Sequence, residues 1–446
     1  MAGMSPDYPW HGPHGHRHAP QAAAPLVAAD FMWGFSSSSY QYEDPPAQDD
    51  PMHFCTDWDL FYAARGKPAP RENGIYGWHD FDKEVAALRQ MGASHYRFSI
   101  EWARVEPRPG VYNPAAIEAY VARARQLRAS GIEPVVCLWH FTFPSWATDL
   151  AVPHRHGWLN HQLHRRWAPY VETMARAFGD QVSLYAPQNE VNNVARGAYL
   201  LGVFPPGQRL GRRNCGHSVD EAAALFIEAA GILRRHNPAA RLLSVQNVFA
   251  WDEPLPRMLH RYVHDFHYRH LDQIAHCLDY LGFNYFTREP ADPMGALRMA
   301  LNAGKPGYTD LGWPIDPAGL AQVARRLYAR YQLPLVVTEN GLADRRDAAR
   351  SDFVMAHLAQ LKRIEAEGVP VHGYFHWSLA DNYEWRAGFG AQFGVFGLSP
   401  DRRQLLPKPS ARLYAAIIRH GWGALSAELK RSDLPELPEL TMDALS

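Results

Sequence analysis

Cysteine is scarce in this chain. Cys55, Cys137, Cys215 and Cys277 are the only four in 446 residues, far apart and without a CxxC pair. That spacing excludes a disulfide framework and a paired-thiolate zinc site, and it fits a reducing compartment. An excess of one charge is lacking too: 45 Lys and Arg face 46 Asp and Glu, for a net charge of -1. Such a balance gives no electrostatic hold on nucleic acid or on an anionic membrane, and neither is expected as a partner. No apolar run reaches the ~20 residues of a membrane span. The first residues lack a basic start followed by a continuous apolar stretch, so no secretory signal is read and a cytoplasmic location is expected. No Gly-rich phosphate loop follows the first strand-like run, and no HExxH occurs; no cofactor and no metal are expected. His264, His267 and His270, three apart, suit one helix face, where a solvated or core-edge cluster is expected rather than a metal site.

Aromatic side chains are plentiful, with 14 Trp, 21 Tyr and 20 Phe. Most belong in a core, and a surplus of Trp also suits stacking on sugar rings. Residues 1–28, with His11, His14, His16 and His18 among Gly and Pro, read as a flexible appendage, and 426–446 read as a C-terminal tail. Between them, eight apolar β-like runs alternate with helical patterns. The strand candidates are Phe31–Phe35, Ser94–Ile100, Glu133–His140, Val182–Glu190, Arg241–Val248, Tyr280–Tyr285, Leu335–Glu339 and Val371–Trp377. Phe81–Met91, Ile117–Ser130 and Phe353–Glu367 repeat apolar residues at helical spacing. Strand and helix alternating eight times predict an α/β fold, a closed (β/α)8 TIM barrel over residues 29–425, forming one domain with long βα loops.

Glu190 and Glu339 each close one of these runs. A carboxylate after an apolar strand is poorly placed for packing but well placed at the mouth of a parallel barrel, where such enzymes keep their chemistry. Arg97, His140, Asn284 and Trp377 fall at or near the ends of four other runs. Six chemically able side chains at one end of one barrel predict a site, and two carboxylates predict a pair working on a single bond.

The surrounding motifs resemble those of the family 1 glycoside hydrolases, the β-glucosidase family, from about Phe31 to Ile417. Phe31-Met32-Trp33-Gly34, Tyr96-Arg97-Phe98-Ser99-Ile100-Glu101-Trp102, Leu138-Trp139-His140-Phe141, Asn189-Glu190, Thr338-Glu339-Asn340-Gly341 and Trp377 to Trp385 occur in the family's order. The resemblance implies a retaining β-glycosidase, with Glu339 as nucleophile, Glu190 as acid/base, and Arg97 and Asn284 supporting the nucleophile. Gln41, His140, Asn189, Trp377, Glu384 and Trp385 would bind the sugar. Glu384 favours a neutral glucoside, galactoside or fucoside, because family members acting on 6-phosphorylated sugars lack this carboxylate. The implied partner is a small β-glycoside or oligosaccharide, and a homo-oligomer is compatible with the sequence. Arg97 is expected to keep Glu339 ionised, while the charge of Glu339 raises the pKa of Glu190.

The chain departs from the family at Val191, where Pro is usual, and at Phe141, where Trp is usual. Phe286 stands where a Tyr would donate a hydrogen bond to the nucleophile, a loss expected to raise the pKa of Glu339. The stretch after Gln41, Glu43-Asp44-Pro45-Pro46, lacks the Gly the family usually places after its glutamate. A transglycosylase using the same intermediate is the rival reading, and a non-catalytic carbohydrate-binding barrel a lesser one.

Overall fold

The computed structural model describes residues 31–421 apart from 48, 69–73, 76, 252–254 and 291–293, together with 435, 437 and 438. The expected appendage and most of the expected tail lie outside the described residues; Leu437, within that tail, is buried against the core. The strands are β1 Met32–Ser36, β2 His95–Ser99, β3 Glu133–Cys137, β4 Leu184–Ala186, β5 Arg241–Leu242, β6 Gln246–Ala250, β7 Leu281–Arg288, β8 Leu335–Asn340 and β9 Val371–His376. They form one sheet in the order β5-β4-β3-β2-β1-β9-β8-β7-β6, with every pairing parallel. Its two end strands are consecutive in the chain: β5 pairs with β4, and β6 with β7. Residues 241–250 thus make one stave whose halves serve opposite neighbours, and this closes the barrel.

Alternation along the strands divides two cores, as the period of two requires. Met32, Val135, Cys137, Leu184, Ala186, Val336 and Phe375 fill the interior. Their neighbours Trp33, Val136, Tyr185, Val337 and Tyr374 point outward into the layer shared with the helices. Gly34 is small because the interior is full: a Cβ there would lie 2.6 Å from the Phe375 ring.

The helix expected at Phe81–Met91 forms over those residues, and Ile117–Ser130 proves to be Pro114–Ala129. Its earlier start follows from Asn113, whose side chain accepts from the Ala116 amide, with Pro114 in the first turn. Val182–Glu190 is the largest departure, because β4 ends at Ala186. Pro187 has no N–H for the ladder. The segment then makes one bridge, Asn189 to His140, and Glu190 turns into the left-handed region (φ 48°) at the head of a short helix, Val191–Ala195. All four cysteines are free. His267 and His270 are buried on the helix Arg257–Ile274, and burial pushes both down to about 3, so they pack as neutral rings. His264 is solvent-facing, and no helix among the described residues is long and apolar enough to cross a membrane.

Candidate active site

Strand ends on one side of the barrel deliver the polar residues, and a bulge aims one of them. Phe283 of β7 pairs with Val337 of β8, but Asn284 pairs with Glu339, so Thr338 is an extra residue on β8. The bulge interrupts the alternation. Val336 points into the barrel and Val337 out of it, and after the extra residue Glu339 faces the mouth while Asn340 turns away to bond Tyr285 and Tyr374.

A cavity of about 500 Å³ opens there, with Gln41, His140, Glu190, Glu339, Trp377 and Glu384 in its walls. Arg97 reaches it from inside the barrel and is fully buried. Its Nη2 pairs with Glu339 Oε1, Nη1 donates to Asn189 Oδ1 at 2.9 Å, and Nε donates to Ser36 Oγ at 3.0 Å. Asn189 in turn directs its amide at His140 Nε2, 3.2 Å away. Burial, with Arg97 nearby, holds His140 well below the usual range, so it is a neutral ring.

The two carboxyls are held differently. Glu190 accepts from Asn247 Nδ2 and Asn284 Nδ2, both 2.7 Å from Oε1, and from Asn193 Nδ2, 2.8 Å from Oε2. The resemblance has Asn284 supporting the nucleophile; although it pairs with Glu339 across the strands, its amide donates to Glu190, its Oδ1 accepting from Thr338 Oγ1 at 2.7 Å. Glu339 is bonded by Arg97. Phe286, two residues beyond Asn284 and on the same face of β7, brings an aromatic ring to the cavity wall and no hydroxyl. The adjacent Tyr285 points away and donates to the Asp316 carbonyl at 2.8 Å.

Their electrostatics follow. Burial pushes Glu339 up to about 8, Arg97 pulling against it and the charges of Glu190 and Glu384 adding to it. Glu190 is also raised by burial, and its three amide donors pull it back towards the anion. Both carboxyls are thus raised, the direction expected of Glu190 and, with Phe286 in place of a Tyr, of Glu339. The cause in each is burial, which Arg97 opposes at Glu339 and the three amides oppose at Glu190.

At the inner end of the cavity, Gln41 donates through Nε2 to Glu384 Oε2 at 3.2 Å and to the Tyr383 carbonyl at 2.8 Å. Gln41 Oε1 is buried without a partner, as is His140 Nδ1. A sugar hydroxyl between them would satisfy both. Burial lifts Glu384 to about 8, with Trp377 and Gln41 hydrogen bonds opposing. Trp377 packs with Phe393, and Trp385 lies between Tyr40, to which it is parallel at 5.5 Å, and Phe141 at 5.0 Å. Sequence reasoning missed Asn193, Asn247 and Ser36. Asn193 carried a signal, since it lies one helical turn beyond Glu190; Asn247 is only a polar residue within an apolar strand. Among the described residues no group of His, Cys, Asp and Glu is arranged to hold a metal.

A closed parallel barrel with two buried carboxyls in the wall of one cavity at the strand ends is the architecture of a glycoside hydrolase. The sequence profile of glycosyl hydrolase family 1 matches residues 25–267 and 252–421, and the chain belongs to that family, whose members retain anomeric configuration. It is 27% identical to beta-glucosidase 47 of Arabidopsis thaliana, over 87% of this chain and 84% of that protein. It is 26% identical to a beta-galactosidase of Sulfolobus acidocaldarius, over 87% of this chain and 94% of that one. Its fold superposes on the β-glycosidase of Thermosphaera aggregans with a TM-score of 0.78 at 25% identity, covering 88% and 96% of the two chains.

Proposed function

We propose that the protein hydrolyses β-linked neutral hexosides, with Glu339 as nucleophile and Glu190 as acid/base. The observation that carries this reading is the contact of Arg97 with Glu339: of the two carboxyls, this one has a buried cation against it. When the pair holds a single proton, that cation favours the anion on Glu339 and leaves the proton for Glu190.

Glu339 attacks the anomeric carbon as the bond to the leaving oxygen breaks, and Glu190 gives that oxygen its proton. Esterification removes the charge of Glu339, which lowers the pKa of Glu190. Now anionic and favoured by Asn193, Asn247 and Asn284, Glu190 takes a proton from water as the water attacks the anomeric carbon. The Glu339 carboxylate leaves and the sugar departs with its configuration retained. The amide cage therefore suits the second half of the reaction. Gln41, His140, Asn189, Trp377, Glu384 and Trp385 hold the sugar. A neutral hexose is supported by Glu384, held by Gln41 Nε2 at 3.2 Å, because family members acting on 6-phosphorylated sugars lack this carboxyl. The four free thiols support a reducing compartment such as the cytoplasm.

Trapping with 2-deoxy-2-fluoro-β-glycosides, followed by peptide mass analysis, tests the assignment. A label on Glu339 is expected, and the sugar that labels fastest names the glycone. Labelling of another residue would overturn it.

A further inference from the structure

Beyond the carboxyl pair, the cavity changes character. Its outer wall is built from Val203, Phe204, Phe249, Phe286, Leu311 and Trp313. The polar groups there are engaged with one another: Arg196 forks onto Glu289 at 2.6 and 3.1 Å, and Thr287 Oγ1 donates to the Pro314 carbonyl at 2.9 Å. A hydroxyl-rich leaving group would bury hydroxyls against this wall without partners, a costly arrangement. The Arg196–Glu289 pair carries no net charge, and the other arginine in the wall, Arg386, is exposed, where solvent and salt screen it.

The apolar character continues outside the cavity. Among the described residues, large apolar side chains stand exposed at seven positions, and five of them lie on the two loops that flank the mouth. Leu201, half exposed, is itself in the cavity wall, and Leu210 adjoins it past the Leu201–Arg209 bridge. Met294, Leu297 and Leu301, between 51% and 64% exposed, lie on or just before the helix Gly295–Asn302. Their spacing of three and four puts them on one face, while Met299 on the opposite face lines the cavity. That helix is apolar towards the substrate and, apart from exposed Arg298 beside the stripe, apolar towards solvent as well. An exposed apolar stripe of this kind marks a contact surface, and its position at the mouth joins it to the substrate path.

Resting on the glycosidase reading above, we propose that the substrate is a glycolipid, a β-hexoside of a long uncharged alkyl chain. The chain lies along the apolar outer wall, and the Met294–Leu297–Leu301 stripe docks on the lipid surface from which the sugar extends.

The test compares methyl β-D-glucoside in solution with dodecyl β-D-glucoside in phosphatidylcholine vesicles. The wild-type protein is expected to co-sediment with the vesicles, and the Leu297→Asp/Leu301→Asp double variant to remain in the supernatant. The variant's dodecyl-to-methyl ratio of kcat/KM is expected to fall by at least about tenfold, as the loss of two buried leucines implies. Turnover of methyl glucoside by the variant shows that it folds. An unchanged ratio, or failure of the wild type to sediment, overturns the proposal. So does a wild-type oligomer that the double substitution dissociates with the ratio unchanged, which would make the stripe a subunit interface. If the wild type hydrolyses neither compound nor any aryl β-glycoside, it is the glycosidase reading that fails.

Discussion

Asn284 donates to Glu190 across 2.7 Å although its strand partner in β7–β8 pairing is Glu339. The residue adjacent to one carboxyl thus serves the other. Together with Asn193 and Asn247, it gives Glu190 more donors than Glu339, the proposed nucleophile, receives from Arg97.

Replacing Asn284 with Ala removes a donor that favours the Glu190 anion. The pKa of Glu190 rises, so the alkaline limb of kcat/KM moves to higher pH. A hydrogen bond to a charged group contributes about 1.5–3 kcal/mol, so hydrolysis of the glycosyl-enzyme slows by about tenfold or more. Pre-steady-state kinetics with a dinitrophenyl glycoside, which isolates that step, measure it.

Phe286→Tyr supplies a hydroxyl on the face of β7 that meets the cavity. A donor to the Glu339 anion lowers its pKa from about 8, and the acid limb of the pH profile moves down. A shift of one unit would raise kcat/KM below that limb by about tenfold. An unmoved acid limb would show that the ring at this position does not address Glu339.

Glu190→Ala separates the two steps by leaving group. Alkyl glycosides, which need the proton, lose about a hundredfold or more in rate, and dinitrophenyl glycosides far less. Azide restores turnover by attacking the intermediate without a base, giving a β-glycosyl azide detectable by mass spectrometry and NMR.

Glu384 sets a pH dependence of stability. Its carboxyl is raised from 4.5 to about 8 by burial, so between those values the folded protein keeps a proton that the unfolded chain releases. Stability from this group is therefore lost as pH rises from 4.5 through 8. Glu384→Gln removes the effect: the melting temperature relative to wild type increases between pH 5 and pH 8, by about 2 °C, while binding of glucose-derived inhibitors weakens. Calorimetry at the two pH values decides it.

The eight staves were legible because each is an apolar run bounded by helical periodicity, and barrel interiors demand that pattern. The carboxyl pair was legible because acids at the ends of such runs have no packing purpose. Two things were not. The end of β4 at Ala186 depends on Pro187 withholding a ladder donor, a local effect overridden in many strands. The amide cage depends on residues from three separate segments, at 193, 247 and 284, whose convergence no spacing encodes.

By itself, the sequence determined the barrel and the placing of two carboxyls at the ends of its strand-like runs, since these follow from periodicity and from residue type at strand ends. Only the tertiary structure decided which way they face and what surrounds them. Strict alternation would point Glu339 out of the barrel alongside Val337; the extra residue Thr338 turns it into the mouth, onto Arg97. A bulge is a relation between two strands, and it exists only once β7 and β8 are paired.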